Sequence, residues 1–519
     1  MTTHGFHRLH PGPLAEGLDA ALAELAERDA VARLWARDHT LWSDDPTEVA
    51  DRLGWLEVAD EVLAEGDRLD AVLAGALADG FTHVVVMGMG GSSLFPEVLA
   101  RTFGAVDGAL ELVVLDSTDP AAVGRVAAHV PAEQTLFVAS SKSGGTIETR
   151  SHLEVFWDHV GRPEHFAVIT DPGSELGALA RERGFREVFD NRSDIGGRYS
   201  ALSYFGLVPA ALAGARWRDL AGAAGAASAS LRDHDPAVNA GLRLGALLAA
   251  GVRAGRDKVT ILLDPRIETF GLWLEQLLAE STGKQGTGVV PVVGEPLGPA
   301  DVYGTDRLFV AIGDVEHPVG LEVLADEGHP VAELAFADLA DLGAQALVWE
   351  VATALCGALL GINPFDQPNV AEAKEATNAV LADGAGPVAT PSLEEVLAQV
   401  RPGDYVAVMA YVDPEGPEAA ELAERRLELR DELKVATTFG IGPRFLHSTG
   451  QLHKGGPPSG VFIQVVGDDP TDAAIPGRPF TFSELKHAQA DGDLATLARH
   501  GLRATRTDRA ALARHQGDA

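Results

Sequence analysis

Short apolar runs alternate with helical stretches along most of the chain. Up to about residue 80 the spacing is helical: 14–35 and 59–78 interleave apolar and charged residues at a 3.6-residue period. At 82–87 the pattern becomes a compact β-rich run, THVVVM, followed by a glycine cluster and a helical stretch. Runs at 111–115, 134–139 and 166–170 repeat that arrangement. Strands alternating with helices predict a parallel sheet covered on both faces. The alternation restarts with strand-like runs at 259–263, 289–293, 308–312 and 331–334, and helical stretches at 270–279 and 338–360. An Ala-rich span, 210–250, reads as helices joining the halves. Beyond a Gly/Pro linker at 384–387 come a strand at 405–412, a charged helix at 417–432, a Gly-rich loop at 440–460 and a strand at 461–466. The last stretch, 504–519, reads as a frayed tail.

The predicted fold class is therefore α/β: two α/β/α sandwich domains with parallel sheets, at 81–230 and 231–385. A helical N-terminal extension, 1–80, precedes them, and an α/β C-terminal segment, 386–519, follows.

Composition narrows the function classes. The chain has 519 residues, 46% of them hydrophobic, and carries 41 basic against 76 acidic residues, a net charge of −35. Such a chain repels polyanions, which excludes nucleic acid as a partner. A small phosphorylated molecule stays possible, because a local pocket can oppose the global field. Cys356, the single cysteine, allows no internal disulfide, and its apolar neighbours predict an inert buried thiol. No signal peptide is visible, and the apolar stretch 346–362 is interrupted by Glu350 and Thr353. It reads as a core helix and not a membrane span. A cytoplasmic protein without a membrane partner is expected. Only seven of the 41 basic residues are lysines, which makes Lys142, Lys284, Lys374 and Lys454 worth following.

Six segments could carry chemistry. Gly88-Met89-Gly90-Gly91-Ser92-Ser93 follows a strand and opens a helix, where glycines admit a ligand to backbone N–H groups. Asp116 ends the next strand, as in a dinucleotide fold, but Ser93 leaves the glycine fingerprint incomplete. Ser140-Ser141-Lys142-Ser143-Gly144-Gly145-Thr146-Ile147-Glu148-Thr149 crowds hydroxyls, a lysine and glycines at a helix start. That suits a phosphate, or else an elaborate N-cap. Gly196-Gly197-Arg198 offers a guanidinium beside permissive backbone. Glu280-Ser281-Thr282-Gly283-Lys284 ends an apolar helix, where partial burial would tune a carboxylate toward general-base work. Asn363-Pro364-Phe365-Asp366-Gln367-Pro368, with Lys374 downstream, reads as an extended entry to a helix or a plain connection. The loop from His447 to Gly456 holds His447, His453 and Lys454; two histidines without a third ligand make a poor metal site.

Taken in order, these segments resemble the phosphoglucose isomerase family, and most closely the isomerase half of actinobacterial transaldolase–phosphoglucose isomerase fusions. The resemblance covers roughly residues 80 to 375. It implies two sugar-isomerase domains and an aldose–ketose isomerase interconverting glucose 6-phosphate and fructose 6-phosphate through a cis-enediol. It implies Glu280 as general base, Arg198 stabilising the enediolate, and Lys374 with a histidine opening the ring. Gly91, Ser92, Ser141, Lys142, Ser143, Thr146 and Gln367 are then substrate-binding. The family's ring-opening histidine lies in a Thr-Asn-Gly-Gln-His segment, whose counterpart here, Tyr303-Gly304-Thr305-Asp306-Arg307, has none. His317 and His329 occur in that interval without a matching motif. His453 is the first expected substitute and His447 the second. The resemblance implies no metal or organic cofactor, and a homodimer. Two other classes stay open from the residues alone: a non-catalytic sugar-phosphate sensor, and a nicotinamide-dependent oxidoreductase resting on Gly88–Ser93 and Asp116. An isomerase that also accepts mannose 6-phosphate is a third.

Overall fold

A computed structural model describes residues 5–315, 320–384, 386 and 388–514. The chain opens with a strand, β1 (Phe6–His10). Apolar helices follow to Ala78, among them Ala15–Glu27 and Gly66–Ala78. A five-stranded parallel sheet then forms from β2 (His83–Met87), β3 (Glu111–Leu115), β4 (Thr135–Ser140), β5 (Phe166–Thr170) and β6 (Glu187–Asp190), in the order β3-β2-β4-β5-β6. The second sheet holds β7 (Lys258–Leu263), β8 (Val290–Val292), β9 (Arg307–Ile312) and β10 (Val331–Leu334), parallel to one another, with β1 antiparallel on β10. A third sheet, wholly parallel, joins β11 (Tyr405–Tyr411), β12 (Ala436–Ile441), β13 (Gly460–Val466) and β14 (Arg503–Arg506) in the order β12-β11-β13-β14.

The N-terminal stretch is thus not a separate helical extension. Its strand completes the second sheet, and its helices share one continuous apolar core with both sandwiches, from Leu14 to Phe365. Five residues, FHRLH, are too few to show a period, so only their partner strand reveals β1. Nor is 504–519 simply a tail. Ala504–Arg506 lies in β14, helix Arg509–Arg514 follows, and Leu512 is fully buried. Residues 515–519 lie outside the described residues, as do Ala385 and Pro387 of the expected linker.

Among the described residues one helix, Asp341–Leu360, is long and apolar enough to cross a membrane, but it is wholly buried as a core helix. It carries Cys356, whose thiol burial pushes up to about 12. The sandwiches place their loops at the carboxyl ends of parallel strands, where open α/β sheets bind ligands. The helix Phe270–Thr282 lies between: it shares the main core through Trp273 and Leu277, and reaches the third sheet's core through Ala279.

Candidate active site

The glycine loop after β2 is shaped by close approach. Gly90 has φ +54°, and a Cβ there would stand 2.8 Å from both the Gln276 amide nitrogen and the His447 carbonyl. A Cβ on Gly91 would lie 1.8 Å from the Gly197 carbonyl. Only glycine lets this loop nest against the Gly-Gly-Arg loop and the helix Phe270–Thr282.

That nesting surrounds Glu280, near the end of its helix and 4% exposed. Its two carboxylate oxygens are held separately. Arg198 Nη1 lies 3.3 Å from Oε1, and the Gln276 amide donates to Oε2 at 3.0 Å. Arg198 is fixed in turn. Its Nε donates to the Ser281 hydroxyl at 2.8 Å, and its other Nη to the carbonyls of Pro364 and Asp366 at 2.6 and 2.8 Å. Lys284 ties down the same segment, donating to the carbonyls of Asn363 and Asp366, both at 2.6 Å, and pairing with the Asp366 carboxylate at 2.7 Å. Burial first, and the Arg198 charge second, lower the Lys284 ammonium to about 7. Two buried cationic side chains therefore clamp the Asn-Pro-Phe-Asp turn against Glu280. The Gln276 amide also donates to the His447 carbonyl at 2.8 Å, which links Glu280 to the third sheet's loop.

The Ser141–Thr146 loop opens the helix Ile147–Val160. The Ser141 and Thr146 hydroxyls bond each other at 2.9 Å, and Ser141 and Ser143 accept from the N–H groups of Gly144 and Gly145 at 3.2 and 3.3 Å. Thr146 is the N-cap residue yet makes no side-chain cap bond. Its hydroxyl is spent across the loop, so the first-turn N–H groups remain available to an anion, which is not how an ordinary cap works. Beside the helix start, a cleft of about 120 Å³ is lined by Thr146, Glu148, Lys374, Thr377 and His447.

His447 Nε2 lies 3.0 Å from the buried Glu148 carboxylate, which also accepts from the Gln489 amide at 2.6 Å. Burial alone would raise Glu148, but the charge and hydrogen bond of His447 outweigh it and hold the carboxyl below its ordinary range. Gln451 donates to the Gly283 carbonyl at 3.0 Å and the Asn369 side chain at 2.8 Å. It thereby staples the Lys374-bearing helix, Pro368–Asp383, to the end of the Glu280 helix.

The phosphoglucose isomerase family profile matches residues 35–296 of this chain. A glucose-6-phosphate isomerase of Geobacter sulfurreducens is 30% identical over 427 residues, 71% of this chain and 78% of that protein. The chain belongs to the phosphoglucose isomerase family. A glucose-6-phosphate isomerase of Acaryochloris marina is 34% identical over 286 residues, 51% of each chain, so the match spans about half that relative's length. A crystal structure titled as a hypothetical protein of Thermus thermophilus superposes with a TM-score of 0.60 at 26% identity, over 72% of this chain and 99% of that one. The glucose-6-phosphate isomerase of Chlamydia trachomatis shares the fold, with a TM-score of 0.57 at 22% identity.

Within this family frame, Glu280, Arg198, Gly91 and Ser92 gather at the nested loops, and Thr146, Lys374 and His447 line the adjoining cleft, with Ser141 and Ser143 in the loop that leads into Thr146. Several sequence expectations need correction. His453 is not brought to the site. It is 6% exposed, packs between Phe445 and Phe462 with ring centroids 6.0 and 5.0 Å away, and its Nδ1 has no hydrogen-bond partner. Burial first, then Lys454, lower its imidazole to about 3, so it stays neutral. Lys454 serves the core as well, in a buried pair with Asp493 at 2.7 Å. Lys142 is drawn to the Asp171 carboxylate and the Ser193 carbonyl, and is absent from the lining of the cleft. Gln367 is exposed at the start of the Pro368–Asp383 helix. His329 packs on Phe309 and Tyr303, and His317 lies outside the described residues. Asp116 takes a bidentate ion pair from Arg444 at 2.7 and 2.8 Å, which removes the acidic group that the dinucleotide reading required. Gln276, Gln451 and Gln489 were missed, because a glutamine in a helix carries no local sign of the partner it will meet.

Proposed function

We propose that this chain interconverts glucose 6-phosphate and fructose 6-phosphate through a cis-enediol. The observation that carries the reading is the buried Glu280 carboxylate, held between the Arg198 guanidinium and the Gln276 amide. Glu280 takes the proton from carbon 2 of the open aldose and returns it to carbon 1, while the hydroxyl proton on O2 passes to O1, so the carbonyl moves to carbon 2. Positioning suffices for a base in this step. Arg198 already spends its other N–H groups on Ser281, Pro364 and Asp366, so it meets the developing enediolate charge without reorganising. Ser141, Ser143, Thr146 and the first-turn N–H groups hold the 6-phosphate, which anchors carbons 1 and 2 at the base. Ser92 and Gly91 line the sugar. Lys142, already paired with Asp171, adds positive potential rather than a direct contact.

Ring opening falls to His447 with Lys374. His447 is oriented by Glu148, and both line the same cleft as Lys374. A cytoplasmic homodimer is the assembly we assign, by analogy with the family. An assay of the chain with glucose 6-phosphate and fructose 6-phosphate, in deuterated water, tests the reading. Interconversion with solvent deuterium appearing at the exchanged carbon supports it. Sugar-phosphate binding without turnover would make the chain a sensor. Mannose 6-phosphate in the same assay tests the wider specificity, since both epimers share the enediol.

A further inference from the structure

The opposite end of the first sheet holds a second cluster that the isomerase chemistry does not use. His83 is the first residue of β2, and Glu111, the first of β3, is its partner across the parallel ladder. His129 is the last residue of helix Pro120–His129, which returns over the sheet to the same edge. His83 Nε2 lies 3.4 Å from Glu111 Oε2, and His129 Nε2 lies 3.0 Å from Glu111 Oε1. The three ligand atoms all fall within 4.8 Å of one another. The two rings meet edge to face with centroids 5.9 Å apart, so both Nε2 atoms converge on the carboxylate instead of stacking away from it.

We propose that His83, Glu111 and His129 bind one divalent transition ion, with Zn²⁺ the best match. Two imidazoles and a carboxylate are the donors that ion prefers, and bonds of about 2.0–2.1 Å in a tetrahedron set ligand atoms roughly 3.4 Å apart. The two separations from Glu111, 3.4 and 3.0 Å, are near that value, and all three ligand atoms lie within 4.8 Å of one another. The His83 Nδ1 bonds the Thr82 hydroxyl at 2.8 Å, the outer-shell contact that fixes a ligating ring with its Nε2 toward the metal. Among the described residues Glu111 has no lysine or arginine partner. Arg125, one turn before His129, is engaged by Asp413 at 2.5 Å and Glu415 at 2.7 Å. The side chains of His83, Glu111 and His129 are 17%, 43% and 52% exposed, so water can reach the site and complete the coordination.

The role is structural. β2 runs from His83 to Met87, and the glycine loop of the active site begins after Met87. At about 3.3 Å per residue, roughly 13 Å of strand separates the two ends. The ion would pin the edge strand β3 to β2 and to the helix end, and its effect belongs to stability and not to turnover. This inference is independent of the proposed isomerase reaction.

The test titrates the metal-free full chain with Zn²⁺ by calorimetry and with Co²⁺ by visible absorption, and compares thermal unfolding. The expected result is one saturable equivalent, a Co²⁺ spectrum of four-coordinate type, and a midpoint raised by a few degrees. His83→Ala and His129→Ala each abolish the equivalent and its thermal shift, while Thr82→Val weakens binding by about tenfold. All three keep the wild-type kcat. Lack of saturable binding, or binding unchanged in a His83→Ala/His129→Ala double variant that retains wild-type activity, overturns the proposal. So does a chelated enzyme with unaltered unfolding, since the ion would then tie nothing together.

Discussion

His447 and His453 stand six residues apart in one segment and end in opposite surroundings. His447 closes a short 3-10 turn, Arg444–His447, and faces the cleft with Glu148 on its Nε2. His453 lies on the helix Gly450–Gly455, whose Leu452 packs onto Gly283 so closely that a Cβ on that glycine would stand 2.5 Å from the Leu452 Cα. This contact turns His453 toward Phe445 and Phe462. The same side chain thus lines the cleft at one end of the loop and fills an apolar space at the other. Residue type and local spacing did not separate them; the packing of one short helix did.

The comparison can be broken in order of effect. Glu280→Gln is expected to lower kcat by about 10³ while leaving glucose 6-phosphate affinity near wild type. Affinity falling in parallel would mark Glu280 as a structural residue and remove the frame in which His447 is read. His447→Ala is expected to lower kcat/KM on the ring-closed sugar by about 10², and His453→Phe to leave it within about twofold. The reverse pattern would restore His453 as the ring opener. The double change Ser143→Ala/Thr146→Ala is expected to raise KM by about tenfold with kcat largely kept. Unchanged kinetics would move the phosphate away from this loop and from His447.

The smallest effect is on stability and concerns pH. The unfolded chain protonates His453 near its ordinary value of 6.5, whereas the folded chain holds it neutral down to about 3. Below pH 6.5 the unfolded state therefore binds more protons, and stability falls as pH falls through that window. At pH 5 this amounts to about 2 kcal/mol. His453→Phe is expected to lose that share of the acid sensitivity in chemical denaturation at pH 7 and pH 5. An equal slope in both proteins would mean that His453 is protonated in the folded state.

Much of the fold was legible. The runs at 111–115, 166–170 and 331–334 coincide with β3, β5 and β10, because buried parallel strands are continuous apolar runs with glycine or polar ends. β1, β6, β12 and β14 were not legible. They are short or carry polar residues, and pairing with a neighbour defines them. The lysines divide in the same way. Lys284 ties down the Asn363–Asp366 turn and Lys374 lines the cleft beside Thr146. Lys454 and Lys486 are buried ion-pair partners, the latter joining Asp119 at 3.0 Å.

By itself the sequence determined the alternation of strands and helices, the glycine and hydroxyl loops at strand ends, and the crowding of hydroxyls, a lysine and glycines before the helix Ile147–Val160. These follow from local rules: periodicity, permissive backbone, and donors crowded at a helix start. The tertiary structure alone decided which histidine reaches the cleft, which lysines are taken up by buried ion pairs, and which glutamines hold the carboxylates. It also brought His83, Glu111 and His129 together. Such partners lie tens to hundreds of residues apart in the chain, and a hydrogen bond or a ligand set exists only once packing has fixed both ends within a few ångströms.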